Sequence, residues 1–222
     1  LLDIRHCHLG VFGNMRNIVH MPGLACLIGL CMLAPWRASA ANLVISDGTF
    51  SSWAFGAYIN GTGSPTGSMT LDSTEGNPAP GLNDTTYTAT GGYAAGYGYD
   101  TGAPTSDVLN KAPFVLTVQF LSGPGAARIG QGVQLIVVQN GSVYLSHGYK
   151  NTGTSSKKWK TVTLKGKLVG TSFTLISGSG PAAPDFTSGI PTEFGFSGQN
   201  YQSGRSVTCY YDNYNLTITL PN

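Results

Sequence analysis

Few side chains in this chain could carry covalent or acid–base chemistry once its leader is set aside. Beyond residue 40 there is one histidine, His147, one cysteine, Cys209, and two glutamates, Glu75 and Glu193. A Ser-His-Asp triad would have to use His147, and no Gly-x-Ser-x-Gly elbow supports it. Ser146-His147-Gly148 reads as a strand end with an exposed loop histidine. Retaining glycosidases need two carboxylates about 5 Å apart, and the closely spaced Glu-x-Asp-x-x-Glu pattern that would supply them is missing. Zinc wants several His or Cys ligands, and one of each is too few. No Gly-rich run follows a strand and opens a helix, so phosphate cradles fail as well.

The pattern fits binding better. Gly91-Gly-Tyr-Ala-Ala-Gly-Tyr-Gly-Tyr-Asp-Thr101 holds Tyr93, Tyr97 and Tyr99 in what reads as a Gly-rich loop, with Asp100 beside them. Sugars present apolar C–H faces and hydroxyl rims, so exposed rings beside Asp or Asn carboxyl and amide groups suit them. Tyr/Gly/Ser loops also suit protein recognition. The competing reading is that these rings cover a sheet as ordinary packing. Trp53 and Trp159 read as core anchors.

The elements that must position these residues are strands. Val207, Cys209 and Tyr211 alternate with small or polar residues, and Tyr214, Leu216, Ile218 and Leu220 continue on the opposite parity. Period two means a strand with one buried face, and the parity change at Asp212-Asn213 calls for a β-bulge. A long, half-apolar strand needs sheet neighbours and an opposing sheet. Upstream, 42–46, 114–121, 133–138, 142–146, 159–164, 172–176 and 192–197 read as strands. Asn140-Gly141 is a hairpin turn, Lys165-Gly166-Lys167 a turn, and 67–72 and 85–90 are short candidate strands. The segment 54–106 carries the weakest pattern. The expectation is nine or ten strands and one antiparallel two-sheet β-sandwich over 41–222.

At the N-terminus, Met15-Arg-Asn-Ile-Val-His is basic, Leu24–Ala34 is an apolar run of 11 residues, and Ala38-Ser-Ala40 is a small-x-small site. That is a secretory signal peptide over 15–40, with 1–14 an upstream extension. The run falls short of the roughly 20 apolar residues of a membrane span. Cys7, Cys26 and Cys31 leave with it, so Cys209 has no partner for an internal disulfide and reads as a small buried hydrophobe. Over 41–222 nine basic and nine acidic residues cancel. A neutral domain without a basic stripe argues against nucleic acid or an anionic membrane as main partner. Lys157, Lys158 and Lys160 read as solvated loop-edge lysines.

Three stretches together resemble a known pattern: Asn42-Leu-Val-Ile-Ser-Asp-Gly-Thr-Phe-Ser-Ser-Trp53, Gly76-Asn-Pro-Ala-Pro-Gly81 and Tyr211-Asp-Asn-Tyr-Asn-Leu-Thr217. They are similar to the opening and closing of secreted bacterial jelly-roll domains of the galactose-binding-like, carbohydrate-binding-module type. The resemblance implies a jelly roll whose first and last strands are neighbours, often with a structural calcium beside them. Asp212 stands at the family's closing acidic position. The acid usual after the opening Phe is Ser51 here, which leaves Asp47 as the nearest carboxylate, so Asp47 and Asp212 are the candidate calcium ligands. Their other reading is that Asp212 and Asn213 satisfy bulge backbone groups. Some relatives end in a sorting helix, whereas this chain ends at Pro221-Asn222, giving the expectation of a released or periplasmic protein. The functional expectation is a secreted, non-catalytic module that binds polysaccharide or glycoconjugate. The alternatives are a structural or adhesive surface protein and an unrecognised hydrolase.

Overall fold

The computed structural model describes residues 40–88, 92–123, 131–153, 157–200 and 204–221. The signal-peptide reading over 15–40 and the cysteines at 7, 26 and 31 lie outside them, apart from residue 40. Among the described residues no helix is long and apolar enough to cross a membrane.

The strands, in chain order, are β1 (Asn42–Asp47), β2 (Trp53–Asn60), β3 (Thr66–Asp72), β4 (Gly81–Thr88), β5 (Tyr93–Asp100) and β6 (Pro113–Ser122). They continue with β7 (Gly132–Gln139), β8 (Ser142–Asn151), β9 (Lys160–Lys167), β10 (Phe173–Ser177), β11 (Thr192–Asn200) and β12 (Arg205–Thr219). One 3-10 turn at Gly170–Ser172 leads into β10. All pairings are antiparallel, in two sheets that form a jelly-roll β-sandwich. Sheet A runs β3-β4-β12-β6-β9, and sheet B runs β10-β8-β7-β11-β5-β2.

β12 is the spine of sheet A. Its first half pairs with β4, its second half pairs with β1, and β6 runs along its other edge. The first and last strands are therefore neighbours. The expected bulge sits where β4 hands over to β1, with the register against β6 shifting between Asp212 and Asn215. Asn213 takes φ +51° there, a left-handed conformation that Asn tolerates better than most residues.

Alternation along each strand sends one set of side chains into the sandwich. Leu116, Val118 and Phe120 of β6, with Leu216 and Ile218 of β12, meet Leu135, Val137, Phe194 and Phe196 of sheet B. Trp53 joins this core as expected, its ring edge-on to Phe50 and Tyr214 at 5.0 Å each. Cys209 is buried and unpaired within it.

Four local expectations need correcting. The weak-pattern residues 54–60 belong to a strand, and 93–100 are a strand where a Gly-rich loop is expected, because their alternation is written largely in Gly, Ala and Tyr. Lys165-Gly166-Lys167 continues β9 instead of turning. Its glycine lies against the Phe114 ring, where a Cβ would collide. His147 lies within β8, not at its end. A register shift between β7 and β8 falls there, and Ser146 Oγ accepts from Leu135 N–H at 3.0 Å and donates to the Gly148 carbonyl at 2.9 Å. The exposed His147 ring meets Thr174 Oγ1 at 2.9 Å.

Candidate functional site

Sheet B has a second, outward face, and the tyrosines of β5 belong to it. Tyr93, Tyr97 and Tyr99 share one parity, so they project together while Ala94, Gly96 and Gly98 turn inward against sheet A. Across the ladder, Tyr97 lies opposite Gly56 of β2 and Ser197 of β11, and Ser197 lies opposite Gln134 of β7. One step along, Tyr58, Ala95 and Gln199 form the next row. Tyr99, Gly195 and Ile136 form the row on the other side. The face is thus a tyrosine row set beside amides and hydroxyls, graded into an aliphatic patch of Ile136, Val138, Val143 and Leu145.

The rings differ in availability. Tyr97 is 7% exposed, packed on the aliphatic patch. Gly56 leaves room for it, since a Cβ there would strike the phenol. Tyr58, Tyr93 and Tyr99 are half-buried against the same patch and keep part of their surface in solvent. Tyr58 and Tyr93 meet edge to face at 5.5 Å, and the Tyr93 hydroxyl donates to Gln134 Oε1 at 3.2 Å. The Gln134 amide is fixed in turn by donating to the Ser146 carbonyl. Burial pushes the Tyr97 phenol above its ordinary pKa. Burial, and then the nearby Glu193 carboxyl, does the same to Tyr99. Glu193, also outward, is itself raised by burial and then by Asp100.

Two side chains on this face are buried without partners among the described residues: Ser197 through its hydroxyl, and Gln199 through both ends of its amide. A buried polar group left unsatisfied costs about 1–3 kcal/mol.

Asp100 does not join the tyrosines. It has the opposite parity, is nearly buried, and its Oδ1 accepts from Ser52 Oγ at 2.6 Å and from Gly102 N–H at 2.8 Å. It fastens the end of β5 to the β1–β2 turn. By parity Asp100 and Glu193 point to opposite faces of sheet B, yet they are near enough for Asp100 to help raise the Glu193 carboxyl. Sequence reading missed Tyr58, Gln134, Ser197 and Gln199. The signal for Tyr58 was present in Ala54-Phe-Gly-Ala-Tyr58, whose alternation places it across from β5.

The three motif stretches meet at the β12 bulge. Asp47 Oδ1 accepts from the N–H groups of Thr49 and Phe50, at 2.6 and 2.9 Å, and from Thr49 Oγ1 at 2.9 Å. Its Oδ2 accepts from the Trp53 indole at 3.1 Å. The Asp-Gly-x-Phe-x-x-Trp spacing is thus a turn that one carboxylate holds closed. Asp212 accepts from the N–H groups of Asn77 and Asn213, while Asn213 Nδ2 donates to the Asn77 carbonyl at 2.7 Å. The Gly76–Gly81 loop is thereby buckled onto the bulge. Burial raises the Asp212 carboxyl above its ordinary pKa, and the two N–H donors oppose the rise. An open hollow of about 300 Å³ lies between Asp47-Gly48 and Asn213–Asn215. Calcium seeks six to eight oxygens. Here both oxygens of Asp47 and both of Asp212 already accept hydrogen bonds, so an ion would have to draw them from these donors. Among the described residues no group of three or more His, Cys, Asp or Glu could hold a metal.

No protein-family model matches the chain, and no curated protein matches it in sequence. Among solved structures it is similar to the family 11 carbohydrate-binding module of a Clostridium thermocellum cellulosomal cellulase, at TM-score 0.46 and 16% identity over 83% of this chain and 99% of that one. It is also similar to a xylan-binding domain of Paenibacillus barcinonensis, at TM-score 0.41 and 11% identity over 83% of this chain and 100% of that one. Similarity extends to an α-L-arabinofuranosidase, at TM-score 0.43 and 9% identity, where 23% of the other chain is covered.

Proposed function

We propose that this domain is a non-catalytic glycan-binding module, and that the outward face of sheet B is its binding surface. The observation that supports the reading is the placement of three half-exposed tyrosines and the part-exposed Glu193 on one face of sheet B. Tyr58, Tyr93 and Tyr99 offer ring surface to sugar C–H groups. Glu193, part-exposed on the same face, offers carboxylate oxygens to sugar hydroxyls, while Gln134, Ser197 and Gln199 lie buried beneath the rings. A sheet holds both sets in register, which limits the ordering cost of binding.

Tyr97 acts here as the floor that supports the other rings. The double variant Tyr93→Ala/Tyr99→Ala should lose retention on the glycan that the wild-type protein binds, by about tenfold. Affinity electrophoresis across soluble polysaccharides, with and without calcium, reads this out. Retention that is equal in wild type and variant would contradict the site, and turnover of any glycan would contradict the non-catalytic reading.

A second reading is favoured by a different feature. At the β2–β3 flank Phe55, Ile59 and Leu71 are 36%, 47% and 45% exposed, which suits a protein contact in a structural or adhesive role. Concentration-dependent association in sedimentation, abolished by Ile59→Ser/Leu71→Ser and without glycan retention, would favour it.

A further inference from the structure

The outward face of sheet B does not end at β7. Gln134 lies opposite Ser197 on one side and opposite Tyr149 of β8 on the other. Tyr149 therefore shares the parity of the tyrosine row and projects from the same face, where it is 51% exposed. One row along, Gly132 stands between Gln199 and Asn151. That register puts the exposed Asn151 on the same face, beside Tyr149. Lys150, between the two, has the opposite parity.

Both rows end on β2. Tyr58 begins the row of Ala95, Gln199, Gly132 and Asn151, and Gly56 begins that of Tyr97, Ser197, Gln134 and Tyr149. Tyr93 joins the two ends. It sits opposite Asn60, two rows from Gln134, yet its hydroxyl donates to the Gln134 amide oxygen. Its ring must cross the row between, in which Ala95 and Gly132 are small. The same ring meets Tyr58 edge to face, and Asn60 donates to the Tyr58 hydroxyl at 3.3 Å. Ring surface thus extends from β2 to β8, across five strands, with an exposed Asn at each end. Four inter-strand steps span about 19 Å. No residue named in these rows carries a charge.

We infer that the ligand is a linear, neutral glycan lying across the strands of sheet B, with Tyr149 and Asn151 forming its far subsite. Tyr58 and Asn60 hold the near end, and Tyr93 supports the middle. The assignment rests on the glycan-binding reading above and adds a required shape to it. A disaccharide covers one end only. A chain long enough to touch both ends gains the Tyr149 ring, and flat stacking on three rings favours an unbranched backbone.

The test titrates the full chain calorimetrically with β-glucan, xylan and mannan ladders, from disaccharide to hexasaccharide. Affinity within the ladder that binds should rise by about tenfold or more from disaccharide to tetrasaccharide, then level off. Tyr149→Ala changes an exposed ring and should leave the melting temperature unmoved. It should weaken tetrasaccharide binding by about tenfold and disaccharide binding by no more than about twofold. Tyr93→Ala/Tyr99→Ala should weaken both. Binding without length dependence, or equal tetrasaccharide affinity in Tyr149→Ala, overturns the strand-crossing assignment and leaves the tyrosine face standing. Equal affinity for polygalacturonate overturns the neutral class. Absence of binding to every ladder overturns the assignment too, and affinity electrophoresis on polysaccharides then decides separately whether the glycan-binding reading survives.

Discussion

Asp84 is a carboxyl group inside the sandwich, and among the described residues no basic side chain acts on it. Gly96 and Gly198 flank it, and a Cβ at either would collide with its oxygens. Neither oxygen makes a hydrogen bond of ordinary geometry, although Gln131 and the Gly96 N–H stand beside it. Burial raises its pKa well above the usual carboxylate range. The unfolded chain releases this proton near pH 4, so the stabilising contribution of the neutral acid is complete below that value. It is lost as pH rises towards the folded-state pKa. Asp84→Asn should therefore melt higher than wild type at pH 7, with the gap narrowing towards pH 4. A gap independent of pH would contradict this account. Cys209, pushed up to about 12 by burial and then by Asp84, should resist thiol reagents at pH 8 in the folded protein and react only on unfolding, as a time course with and without denaturant would show.

At the scale of elements, the β1–β2 turn and the β12 bulge do most to fix the topology. Asp47 closes the turn with four hydrogen bonds, and Asp47→Ala should cost about 2 kcal/mol in denaturant unfolding. Asn213→Ala removes the clasp on Asn77 and places alanine at φ +51°, for a loss of about 1–2 kcal/mol. Asn213→Gly should recover the backbone part of that loss only. The bulge was legible in sequence because the parity change of β12 calls for one extra residue, whereas Asp212 carried two readings there, calcium ligand and acceptor for bulge backbone groups. β5 was not legible as a strand. Its inward positions are Ala94, Gly96 and Gly98, small because sheet A and Asp84 press against them, and small residues hide the alternation that larger ones display. The tyrosines were therefore found but placed in a loop, and Asp100 was grouped with them although parity sends it to the other face. The partners from β7 and β11 reach that face only through long-range pairing, which no local pattern encodes.

For the whole molecule, the sandwich separates two surfaces: a tyrosine face on sheet B and an apolar flank at β2–β3. The central claim concerns the first. The most direct measurement is an amide chemical-shift map of the protein titrated with the neutral glycan that retains it. The account predicts saturable shifts concentrated on Tyr58, Tyr93, Tyr99, Gln134 and Gln199, on four consecutive strands of sheet B. Shifts confined to the loops or to sheet A, with these residues silent, would contradict it.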